Sequence, residues 1–289
     1  MSSMPLEYVW HGLPAPACPG LTPPRGLCGT RIHGLTYLAI WVLTLTLTLA
    51  PPALRAEDTS DRVTGAIDLI SADSLSDRSA TIATIDALTE SDVTDLCRML
   101  VAPGTGDDTH ARVLLHALAL RATEPGAART EALVRAVSTH LSTDADDEVK
   151  RFLVRALQLA GAGVPALADL LSDERLGGPA AAALQAIGGS AARDALRQAL
   201  ATNTCGDVEA VIAALGTLRD REATMHLLER VTDGDDRIRA AALAALAEIG
   251  DRRALNALVE ATTAISWHKR SVATADLLTW VSRADASGT

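Results

Sequence analysis

Apolar residues in the second half of the chain recur at helical spacing, and the whole block then recurs. In 235–261, DDRIRAAALAALAEIGDRRALNALVEA, positions Ile238, Ala242, Ala245, Leu246 and Ile249 fall at i, i+4, i+7, i+8 and i+11, one face of an α-helix. Asp235 or Asp236 is placed to cap its start, and Gly250 to take the left-handed position that ends it. Asp251 can cap a second helix, with Leu255, Leu258, Val259 and Thr262 as its apolar face. A very short hinge forces the two helices into an antiparallel pair.

Leu157, Leu184, Leu215 and Leu246 hold equivalent places, with fainter copies at Ala87-Leu88 and Ala117-Leu118. The four leucines are separated by 27, 31 and 31 residues, a period that marks a solenoid, propeller or array. The pattern predicts an all-α solenoid of about six antiparallel helix pairs over 76–265, with first helices starting near 76, 108, 146, 177, 206 and 235. In the fourth pair Pro179 suits the first helical position. Residues 57–75 read as a linker and front capping helix, and 266–289 as a C-terminal capping helix and tail. A single pair cannot bury its apolar face, whereas a stack builds one continuous core.

The string D-D-R-I-R-A-A-A-L-A-A-L-A-E-I-G-D-R-R-A-L-N-A-L resembles a HEAT repeat of the short bacterial kind, the PBS-lyase HEAT-like repeat. The resemblance is strongest in 235–261, good in 147–232 and loose in 76–142. It implies a right-handed, armadillo-like α-solenoid. It also implies a ladder between neighbouring units, built from an acidic residue at the first-helix start and an Arg a few residues on. Here these are Asp236 with Arg239 and Asp147 with Arg151. Arg219 stands where the family has Gly, and Glu209 where a basic residue is typical, so those units are expected to pack less regularly.

Composition narrows the picture. Of the 289 residues 48% are hydrophobic but only 2% aromatic, so Ala and Leu must supply the core, and both favour helix. Leu35 to Ala50, LTYLAIWVLTLTLTLA, is a run without charge, followed by Pro51-Pro52. That length fits a secretory h-region better than a spanning helix. Residues 1–56 therefore read as an N-terminal extension plus signal peptide, with a single inner-membrane span through 35–50 as the alternative. An exported, periplasmic or envelope protein follows from either. The segment before the run, Met1 to Gly34, exceeds an ordinary n-region, and a translation start near Leu27 would restore one. Setting aside Arg25, Arg31, Arg55 and Glu7 leaves 23 basic and 35 acidic residues, a net charge of about −12. That charge opposes nucleic acid and anionic lipid as partners.

The chemistry-bearing residues are scattered. HEAT-like deoxyhypusine hydroxylases hold two irons through His-Glu pairs, and this chain has no His-Glu dipeptide. His110 and His116, at i and i+6, point to different helix faces, and His116 reads as packed or half-buried. A phycobilin lyase would need aromatics to line a bilin pocket. No cofactor or metal is expected. Cys97 reads as a small core hydrophobe and Cys205 as a loop residue several helix layers away, so two free thiols are expected. The acidic runs at 144–148 and 233–236 serve as helix caps or as weak Ca²⁺ ligands. Trp267 and Trp280, with Val272, Ala275 and Leu278, suit an amphipathic last helix that either closes the stack or anchors a partner. The function expected is a non-catalytic scaffold that binds another protein or peptide through exposed positions such as Arg252, Arg253, Asn256 and Glu260, together with Trp267 and Trp280. The alternative is a HEAT-like enzyme of the lyase or hydroxylase kind.

Overall fold

In three first helices of the stack an aspartate opens the helix and a left-handed residue follows its end: Asp146 and Gly161, Asp207 and Arg219, Asp235 and Gly250. The computed structural model describes residues 61–69, 78–123, 127–264 and 266–286. The expectations for residues 1–56 lie outside the described residues. Helix α1 covers 61–69. Six pairs follow among the described residues: α2 (Arg78–Asp86) with α3 (Glu90–Arg98), α4 (Thr109–Ala122) with α5 (Ala127–Leu141), and α6 (Asp147–Ala160) with α7 (Val164–Asp169). Then come α8 (Gly177–Ile187) with α9 (Gly189–Thr202), α10 (Val208–Thr217) with α11 (Thr224–Arg230), and α12 (Asp236–Ile249) with α13 (Leu255–Ala261). A longer helix, α14 (Trp267–Ala286), ends the stack.

The caps explain the boundaries. Asp146, Asp207 and Asp235 each accept a backbone N–H of the first turn, at 2.9, 2.9 and 2.7 Å. Each satisfies a donor that has no partner inside the helix. Both acidic runs thus contain an N-cap. α3 starts with a reciprocal capping box between Thr89 and a fully buried Asp92. α12 ends at Gly250 with φ 69°. α8 begins at Gly177, so Pro179 is third rather than first, still among the residues whose N–H has no acceptor in the helix.

First helices stack on first helices: α2 on α4, α4 on α6, α6 on α8, α8 on α10, α10 on α12 and α12 on α14. Second helices form a parallel row, with α3 on α5, α7 on α9 and α9 on α11. The described residues form an all-α solenoid. The repeat leucines Leu88, Leu118, Leu157, Leu184, Leu215 and Leu246 are all buried in one shared core. Each is worth roughly 1.5–3 kcal/mol relative to exposure.

Polar contacts between units run along the stack. Asp147 accepts from Arg175, in the connection that leads into α8, at 2.6 Å, and Asp236 from Lys269 at 2.9 Å. Arg121 and Arg129 converge on Asp86, and Arg283 reaches Glu248 at 2.9 Å. The Arg112 guanidinium lies 4.9 Å from the Phe152 ring centre. The rungs differ from those expected. Arg151 and Arg239 pair within their own helices, with Glu148 and Asp236, because an i, i+3 spacing keeps both partners on one helix face.

Three further expectations change. The 3₁₀ turn Arg252–Ala254 buries Ala254 and α13 buries Leu258, whereas Leu255 and Val259 are exposed. His116 is exposed, since the core stripe of α4 runs through Ala111, Leu114, Leu115, Leu118 and Ala119. Arg219 does not disrupt its unit: it adopts the left-handed conformation itself, with φ 51°. A side chain there costs about 1–2 kcal/mol. Arg219→Gly is therefore expected to raise stability by roughly 0.5–1 kcal/mol after the entropy of glycine is counted. Urea unfolding of the variant checks this, and an unchanged midpoint would mean the turn stores no strain.

Candidate interaction surface at the end of the stack

The last pair and α14 gather most of the features that sequence reading marks. Arg252, Arg253, Asn256 and Glu260 are all exposed, on the 3₁₀ turn and on α13. Arg253 is held in place: Nε and Nη2 donate to Asp251 at 3.1 and 2.7 Å, and Nη2 also donates to the Arg221 carbonyl at 2.9 Å. The Arg253 guanidinium holds the Asp251 carboxyl below the usual carboxylate range.

The two tryptophans are not brought together. Positions 267 and 280 are about three and a half helical turns apart, which places them on different sides of α14. Trp280 faces inward, half-buried against the core, and its indole N–H donates to the Asp251 carbonyl at 2.9 Å. Trp267 is 74% exposed, with Leu278 at 66% and Val281 at 44%. α14 therefore has two apolar sides. Ala273, Leu277 and Trp280 pack inward, while Trp267 and, about three turns on, Leu278 and Val281 are exposed.

Between α12, α13 and the start of α14 lies a cleft of about 510 Å³. Glu260 lines it, as does Asp276, which sequence reading does not single out. Burial alone pushes the Asp276 carboxyl above its ordinary value. A raised folded pKa means that stability falls as pH rises from the unfolded value, about 3.9, through the folded one. Asp276→Asn is accordingly expected to be more stable than the wild type at pH 7 and equal to it below about pH 3.5. Thermal unfolding at the two pH values checks the sign.

Elsewhere the chemistry is sparse. Cys97 is fully buried, its thiol pushed up to about 12 by desolvation, and Cys205 is half-buried; both are free thiols. Among the described residues no group of three or more His, Cys, Asp or Glu side chains could hold a metal ion. No described helix is long and apolar enough to cross a membrane.

Residues 208–277, from α10 into α14, match the family model for HEAT repeats. The segment is thus HEAT-like in sequence as well as in packing. No curated protein matches the chain. Among solved structures, one engineered protein aligns at 21% identity over 66% of this chain and 97% of its own, with a TM-score of 0.39. A computationally designed armadillo repeat protein for modular peptide recognition aligns at 18% over 65% and 99%, with a TM-score of 0.36. Another designed armadillo repeat protein aligns at 18% over 65% and 99%, with a TM-score of 0.34.

Proposed function

We propose that this protein is a non-catalytic interaction scaffold, built from HEAT-like repeats of the short bacterial kind, that binds another protein or peptide in the cell envelope. The observation that carries the reading is the set of large apolar side chains exposed on α14. Trp267, Leu278 and Val281 are large, exposed and on one side of a helix whose opposite side is already packed. Trp267 and the pair Leu278 and Val281 stand about three turns apart, and exposed tryptophan is enriched among the residues that dominate binding energy. The spacing of Leu157, Leu184, Leu215 and Leu246, roughly 30 residues, and the short hinges support the short-repeat type. Export rests on the uncharged run Leu35 to Ala50, and the acidic balance argues for a protein rather than a nucleic acid partner.

The test places a photoreactive amino acid at position 278 of the full chain and irradiates intact native cells. A discrete adduct, lost when Trp267→Ala is added, is the expected result. The absence of any adduct would overturn the reading. N-terminal sequencing of the mature protein tests export separately: a start after Ala56 supports it, and an intact leader on a cytoplasmic chain contradicts it.

A further inference from the structure

α14 occupies the first-helix place of a seventh unit. Ala273, Leu277 and Trp280 stand 31 residues after Ala242, Leu246 and Ile249, and both sets face the stack. Helices α4 to α12 of the first row each meet a first helix on both sides, whereas among the described residues α14 meets one only on the α12 side. Its uncovered side runs through Trp267, Ser271, Thr274, Ala275, Leu278 and Ser282, spaced i, i+4, i+7, i+8, i+11 and i+15, and all six are exposed. The strip holds no charged residue, although the chain carries a net charge of −10. The Thr274 hydroxyl donates to the Arg270 carbonyl at 2.7 Å, so its proton is engaged within the helix.

Two observations select what covers this side. The first is the order of sizes along the strip. Laid antiparallel on itself, with a two-fold axis between positions 274 and 275, it sets Trp267 against Ser282 of the second copy and Leu278 against Ser271. Thr274 and Ala275, both small, meet their own equivalents at the axis. Each large side chain then meets a small one, as interdigitating helix surfaces require. The second observation excludes a head-to-tail continuation of the row. Gly216 meets the next first helix so closely that a Cβ there would stand 2.7 Å from the Ala245 Cα, and its equivalent Ala247, 31 residues on, is buried. The next position in that series is Leu278, too large for a further unit at the same spacing. The front of the stack is also closed: Val63 and Ala66 of α1 are buried in the shared core. We infer that α14 pairs antiparallel with α14 of a second copy of this chain, making a two-fold dimer. The inference rests on the interaction reading above and names the partner.

The test uses full-length chains in native cells, with Cys18, Cys28 and Cys205 changed to serine and the fully buried Cys97 kept, under mild oxidation. Thr274→Cys lies beside the axis and is expected to give a disulfide-linked dimer. Ser282→Cys is expected to give none, because two such positions lie roughly 22 Å apart along the helix pair. Adding Leu278→Asp to Thr274→Cys should cut the linked fraction at least tenfold while leaving the urea midpoint unchanged, since Leu278 is already 66% exposed. No link at 274, equal linking at 274 and 282, or a link that survives Leu278→Asp would each overturn the inference. The adduct at position 278 separates it from the wider reading. A product of twice the chain's mass supports both. An adduct with a different protein rejects the second copy alone, and no adduct rejects the interaction reading as well.

Discussion

Gly216→Leu is expected to lower the unfolding free energy by about 3 kcal/mol or more, as an over-packed interface between α10 and α12 forces the helices apart. A Cβ on Gly216 would stand 2.7 Å from the Ala245 Cα and 2.8 Å from its Cβ. The first of these partners is backbone, which has no rotamer to yield. Gly216→Ala isolates the effect. In an exposed helix that change gains about 1 kcal/mol. Here the sign should reverse, with a loss of roughly 1–3 kcal/mol. Urea midpoints of the two variants decide it, and a raised midpoint for Gly216→Ala would show that α10 and α12 do not touch at this residue.

The second large effect separates the two tryptophans. Trp280→Ala removes a ring packed on the core and an indole N–H donated to the Asp251 carbonyl. Full truncation of a buried Trp costs roughly 3–5 kcal/mol; this ring is half-buried, so about 2–3 kcal/mol is expected. Trp267→Ala, at 74% exposure, should change stability by under about 0.5 kcal/mol. On partner binding the order should invert at Trp267, which is expected to cost about 2 kcal/mol or more, close to thirtyfold in affinity. Partner affinity of the two variants, compared at a temperature where both are folded, checks the inversion.

Much of the fold can be read from the sequence because each repeat signal has a local cause. Ala-Leu spacing sets the buried face, Asp sets the start and Gly250 sets the end of a unit, and all three act within a few residues. The candidate surface is legible only in part, for a different reason. α14 carries apolar residues on two sides, and the helical pattern cannot tell which side meets the stack. Val272, Ala275 and Leu278 therefore read as one face with both tryptophans, yet Leu278 points outward and Trp280 inward. Asp276 escapes notice because an acidic residue in an amphipathic helix reads as solvent-facing. Only the packing of α12 and α13 beside it makes a cleft. Arg219 is visible in the sequence as a departure from the family pattern. Its effect depends on whether the backbone or the packing gives way, and the backbone does.

On the reading proposed above, α14 holds the stack together with one side and a partner with the other. The deciding measurement is the urea midpoint and the adduct yield at position 278 in the same two chains, Trp267→Ala and Trp280→Ala. Trp267→Ala should keep its midpoint and lose its adduct, while Trp280→Ala should lower the midpoint and keep the adduct under conditions where it is folded. A Trp267→Ala chain that crosslinks as well as the wild type would contradict it.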